Sequence, residues 1–142
     1  MKFSANLGFL WADRPLPDAI RAAKAAGFDA VECHWPYDAM PGDVEAALAE
    51  TGLPMLGLNT RRGNVGIGEN GLAALPGRET DAQAAIVEAL AYAKAIGTSA
   101  VHVMAGNSSG PRAVSLCPQP CLCLPDGRTA RDHHPDRAVE PL

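Results

Sequence analysis

The sequence changes character near Gly110, and that break bounds what the chain can fold into. Through residue 110, short strand-like runs alternate with Ala-rich helical runs. From 111 to 142 neither period continues, and the segment holds six of the twelve prolines, three of the four cysteines and no lysine. Proline removes a backbone donor and is kept out of helix and sheet interiors. Regular structure is therefore expected over residues 1–110, followed by an irregular or disordered tail.

Within the first part, residues 3–10 (FSANLGFL) read as a strand. Residues 18–26 read as a helix, preceded by Pro15 and Pro17 and closed by Gly27. Residues 29–35 form a second strand with Val31, Cys33 and Trp35 on one face and Glu32 and His34 on the other. A second helix spans 43–50, entered through Pro41-Gly42 and stopped by Gly52. Residues 54–59 are a third strand. Thr80, with Gln83 three residues on, reads as a capping box opening a third helix. Ile86, Val87 and Leu90 give that helix its apolar stripe, and Gly97 closes it before a fourth strand over 99–105.

The order βαβαβαβ demands parallel strands joined by right-handed crossovers. The fold class is α/β: a partial (β/α) TIM barrel with about four parallel strands and three helices. A complete barrel needs about 250 residues, and the chain has 142. A doubly wound sheet shares this local order, but the first strand–helix junction has no GxGxxG. Four strands alone leave an open edge at the fourth, so a destabilised monomer, or self-association through the exposed half-barrel surface, is expected.

Charge and hydropathy exclude other classes. The net charge of −4 contains no basic block, which argues against a nucleic-acid partner. No run approaches the roughly 18 apolar residues of a membrane helix, and Asn6 and Asp13-Arg14 interrupt anything like a signal peptide. A cytoplasmic location is the default expectation. Cys117, Cys121 and Cys123 follow a C-x3-C-x-C spacing that fits no common structural zinc site, so no metal site is assigned.

One connection is anomalously long. Residues 60–79 link the third strand to the third helix, on the face where barrel active sites are built. Its glycines, Gly63, Gly66, Gly68 and Gly71, suit a mobile loop, since no Lys-Ser/Thr follows to make a P-loop. The run 68–79 (GENGLAALPGRE) resembles the hydroxypyruvate isomerase family of xylose-isomerase-like TIM barrels. Ala5-Asn6-Leu7, Gly27-Phe28-Asp29-Ala30-Val31-Glu32, Trp35-Pro36-Tyr37-Asp38, Leu58-Asn59-Thr60 and Val101-His102-Val103-Met104-Ala105-Gly106 agree with it in order and spacing. The likeness covers about residues 2–110, the N-terminal half of such a barrel.

The resemblance implies interconversion of hydroxypyruvate and tartronate semialdehyde, a proton shift between adjacent carbons through an enediol. Such chemistry needs a base near the C–H and stabilisation of the developing oxyanion. The resemblance implies two glutamates and a divalent metal in the full-length parent, on strands beyond the region that aligns. No catalytic residue or cofactor is therefore assigned to this chain. A substrate-binding half-barrel without catalysis and a sugar epimerase-like fragment remain alternatives.

The tail gives a reason for the break. Codons for residues 132–141, regrouped from the second base of Asp132, can spell Ile-Thr-Ile-Leu-Ile-Glu-Pro-Leu-Asn, which resembles the family's fifth strand. Residues 117–124 can regroup in the same offset to Ala-His-Asn-Leu-Ala-Tyr-Ala. The expectation is an out-of-frame tail after about residue 110, and a truncated, inactive enzyme.

Four residues are candidates for substrate binding. Glu32 and His102 stand on strand faces that would line a barrel site, and His102, neutral near pH 7, is expected to donate to an enediolate oxygen. Asn59 and Arg78 flank the long loop, and Arg78 is expected either to clamp a substrate carboxylate or to pair with Glu79 or Asp81. The implied partner is a small 2-oxo acid or sugar-like substrate.

Overall fold

The computed structural model describes residues 1–107. The expectations for the tail, including its cysteines and its irregularity, lie outside the described residues.

Four short strands and three helices follow one another: β1 (Ser4–Asn6), α1 (Leu16–Ala25), β2 (Ala30–Glu32), α2 (Pro41–Thr51), β3 (Leu58–Asn59), α3 (Glu79–Ile96) and β4 (Val101–His102). β1 pairs parallel with β2, placing Asn6 beside Glu32. β3 pairs parallel with β4, placing Asn59 beside His102. Bonds from Val31 N to Pro54 O at 3.0 Å and from Cys33 N to Gly57 O at 3.1 Å connect the two pairs. The bond from Asn59 N to His34 O, at 2.8 Å, extends the join. The strands thus form two two-stranded sheets, β1-β2 and β3-β4, which these bonds set side by side in chain order, as a (β/α) barrel requires.

The strands are shorter than expected because the chain turns out of the ladder early at several places. The expected first strand ends at Asn6, whose Oδ1 accepts from Gly8 N at 2.9 Å, and residues 7–13 form turns. Near the third strand, Met55 contributes an isolated bridge to Val31 before β3 begins.

The helices pack in sequence, α1 on α2 and α2 on α3. Proline stands in the first turn of α1 and α2, where its missing N–H has no intrahelical partner to lose. Ile20, Val31, Val44 and Leu58 are the largest fully buried side chains. They belong to one core that also takes Ala47, Ala89 and Tyr92.

Two expectations for α3 are corrected. Thr80 is no cap: the helix starts at Glu79 with Arg78 at its N-cap and no side-chain cap bond. The Glu79 carboxylate instead accepts from Gly77 N at 3.1 Å; its own backbone N–H first, and that of Gly77 second, hold its pKa below the ordinary value. Nor do Ile86, Val87 and Leu90 form the core stripe. Ala82, Ala85, Ala89, Tyr92, Ala93 and Ile96 are the buried positions, while Val87 is 57% exposed. Ile86 and Leu90 are half-buried.

Candidate functional site

The strand face opposite the helices carries polar groups. Asn6, Glu32, His34, Asn59 and His102 line a cavity of about 570 Å³ together with Cys33 and residues 56–58 and 100–101. Strand pairing explains the grouping, since Asn6 and Glu32 are register partners, as are Asn59 and His102.

Glu32 Oε1 accepts from Asn6 Nδ2 at 3.0 Å. The amide of Asn6 is oriented by its other end, which takes the Gly8 N–H, so its NH₂ group has to face the carboxylate. Asn6 was not singled out from sequence, and only its register with Glu32 exposes this role.

His102 Nδ1 lies 3.2 Å from Asn59 Oδ1. With the ring proton on Nδ1, His102 donates to that oxygen, and the neutral ring then offers Nε2 as an acceptor. Asn59 is itself anchored, because Tyr37 Oη donates to its carbonyl at 2.6 Å. The Tyr37 ring packs edge-on against Tyr92 at 5.7 Å, and burial pushes its phenol up to about 12. Tyr37 therefore remains a donor through the physiological range.

Arg78 lies apart from this group. Its guanidinium is held by Glu69 and by Asp81, the latter at 2.7 Å, and it is not among the cavity-lining residues. The ion pair with Asp81 is the one weighed from sequence; Glu69 is an addition. His34 is packed rather than poised: Phe9 meets it edge-on at 4.8 Å, and a Cβ at Gly8 would come within 2.1 Å of its Nδ1. Cys33 is buried, and desolvation pushes its thiol up to about 12. A thiol so shifted supplies no thiolate nucleophile near neutral pH.

The C-terminal end of the long loop is bonded to the chain that follows β4. Leu72 N and Ala73 N bond to Met104 O at 3.0 and 3.2 Å, and Ala74 N bonds to Ala105 O at 2.8 Å. Gly71 pairs antiparallel with Ala105. Glu69 reaches across the loop to accept from Asn64 N at 2.6 Å.

A family profile described as Xylose isomerase-like TIM barrel matches residues 20–121. The chain belongs to this family. It is 42% identical over 107 residues to a human putative hydroxypyruvate isomerase, covering 75% of this chain and 39% of the human protein. It is 43% identical over 105 residues to the 2-oxo-tetronate isomerase of Cupriavidus necator, covering 74% of this chain and 40% of that one. A crystal structure of AP endonuclease, family 2, from Brucella melitensis superposes with a TM-score of 0.72 at 33% identity. That likeness covers 77% of this chain and 42% of the other. The chain thus spans about two fifths of the length of the curated relatives it matches.

The divalent metal that the family resemblance implies can be tested against the side chains at hand. Among the described residues, no three of His, Cys, Asp and Glu gather as a ligand set. Residues 1–107 do not by themselves fit a metal. Among the described residues, no helix is long and apolar enough to cross a membrane.

Proposed function

We propose that this xylose-isomerase-like chain carries the substrate-binding half of an isomerase for short 2-oxo acids, typified by hydroxypyruvate and tartronate semialdehyde. The observation that carries the reading is the pair of register-matched couples, Asn6–Glu32 and Asn59–His102, lining one cavity. The names of relatives at 42% and 43% identity support the substrate class.

In this role the Glu32 carboxylate, steadied by Asn6, accepts a hydrogen bond from a substrate hydroxyl. His102, with Nδ1 committed to Asn59, accepts another at Nε2. Such contacts orient the two carbons between which a proton must move, and orientation is a large part of the rate in proton-transfer chemistry. No side chain described here is assigned as the base that takes the C–H proton.

We further propose that the 142-residue chain binds without turnover, because its segment after residue 110 is read out of frame. The regrouped codons of residues 117–124 and 132–141 support this, since both recover family-like text in one offset.

The test is incubation with hydroxypyruvate in deuterated water, followed by proton NMR. The 142-residue chain is expected to bind hydroxypyruvate without exchanging its C3 hydrogens. A chain expressed from the offset frame is expected to exchange them and to form tartronate semialdehyde. Turnover by the 142-residue chain refutes its inactivity, and an inert offset-frame chain refutes the isomerase reading.

A further inference from the structure

Three arginines stand on or beside the 60–79 loop, and their surroundings differ. Arg61 is gripped by Glu88 through two bonds of 2.7 and 2.9 Å. Arg78 is taken by Glu69 and Asp81. Arg62 has no carboxylate partner among the described residues, and its guanidinium lies 3.8 Å from the centre of the Trp35 ring. A guanidinium stacked on an aromatic face keeps its N–H groups available around its rim.

Both halves of this stack are fixed. Arg62 O accepts from Gly71 N at 2.8 Å, which closes the base of the loop. Trp35 Nε1 donates to Met104 Sδ at 3.4 Å. Trp35 and His34 line a second cavity of about 560 Å³, and His34 also lines the first. Arg62 is not itself among the lining residues of either cavity; its place is on the Trp35 ring, which lines the second cavity next in sequence to His34, the residue that faces both.

Charge gives the reason for a cation here. The first cavity has one carboxylate, Glu32, and no Lys or Arg among its lining residues. An anionic substrate entering it meets repulsion unless a cation sits at its other end. Arg14 lines the second cavity but is exposed and stacks on no ring. Arg62 is half-buried, so water and salt screen it less.

We propose that Arg62, on its Trp35 platform, binds the substrate carboxylate as a bidentate pair and so sets the preference for 2-oxo acids over neutral ketoses. This rests on the isomerase reading above and gives Arg62 the part that sequence reasoning offered to Arg78.

The test compares hydroxypyruvate with dihydroxyacetone, which carries a hydroxymethyl group in place of the carboxylate, by titration calorimetry on the 142-residue chain. The wild type is expected to prefer hydroxypyruvate. Arg62→Gln is expected to weaken hydroxypyruvate binding about tenfold or more, the effect of losing a charge-assisted bidentate pair. It leaves dihydroxyacetone binding unchanged. Arg62→Lys, which keeps the charge but loses the planar stack and the fork, is expected to fall between, while Arg78→Gln and Arg14→Gln keep the preference. A preference that survives Arg62→Gln, in a variant with the wild-type circular dichroism spectrum, overturns the role of Arg62 and leaves the isomerase reading standing. Failure of the wild type to bind either compound overturns both.

Discussion

Replacing Gly71 by alanine tests whether the long loop is held to β4 by backbone contact. Gly71 has φ +119°, and a Cβ there would lie 2.5 Å from Gly106 N and 2.6 Å from Met104 C and O. All three atoms are backbone, so no side chain can swing away. The strained backbone costs about 1–3 kcal/mol. Relieving the clash means lifting the loop from residues 104–106. That endangers the three bonds from Leu72, Ala73 and Ala74 to β4's extension, each contributing about 0.5–1.5 kcal/mol. The expected loss for Gly71→Ala is therefore roughly 1.5–6 kcal/mol when one or two of these bonds break. Gly77 supplies the control. It also has positive φ, +78°, but a Cβ there meets nothing within 4 Å. Gly77→Ala should lose only the conformational part, about 1–2 kcal/mol. Urea denaturation followed by far-UV circular dichroism gives both values from the transition midpoints. Equal losses in the two variants would refute the claim that the loop is locked by close approach of Gly71 to residues 104–106.

Four further outcomes follow, three from buried groups and one from an exposed ion pair. Cys33, pushed up to about 12 by burial, should resist iodoacetamide in the folded chain near neutral pH and react once urea unfolds it, as peptide mass spectrometry will read. Tyr37 and Tyr92 are both pushed up to about 12, chiefly by burial. Ultraviolet titration should therefore show no phenolate near the ordinary value of about 10. The sign is fixed by the neutral forms being favoured in the fold: the stabilisation is complete below the unfolded value and is lost as pH rises through about 12. Tyr37→Phe leaves the Asn59 carbonyl without its 2.6 Å donor, and should lower stability by about 1–3 kcal/mol in the same urea assay. Glu50→Gln breaks an ion pair whose side chains are 43% and 58% exposed, and should leave the urea midpoint essentially unchanged, since solvent screens such a pair.

The order of elements was legible because its punctuation is chemical. Gly52 and Gly97 stop α2 and α3 in left-handed conformation where the sequence indicated, and prolines open α1 and α2. The core face of α3 was harder to read. Hydrophobic periodicity weights Ile86, Val87 and Leu90 over alanines, yet the inward face carries Ala82, Ala85 and Ala89 together with Tyr92, Ala93 and Ile96. The cap was misplaced because the helix begins at Glu79, whose carboxylate accepts from Gly77 N, so Thr80 lies within the helix. Glu32, Asn59 and His102 were visible as polar residues on strand faces. Their partners Asn6 and Tyr37 were not, because register and a contact between residues 22 apart in sequence join them. Arg62 carried no signal of its own. The pairing of Arg61 with Glu88 and of Arg78 with Glu69 is what distinguishes it, and neither pair can be read from spacing.

The bonding described above also separates the long loop into a foundation and a replaceable part. Thr60 N bonds to His102 O, and Leu72 N bonds to Met104 O, so the chain leaves the sheet beside β4 and rejoins β4's extension two residues further along. Gly71 N and Arg62 O tie the exit to the return at 2.8 Å. Residues 63–70 are thus an excursion whose two feet are already held together. Doubling the length of such an excursion adds only about 0.6 kcal/mol of closure entropy. This tip is a place where foreign sequence can be grafted, and a family member can diversify, while strand register and the cavity beneath stay as they are.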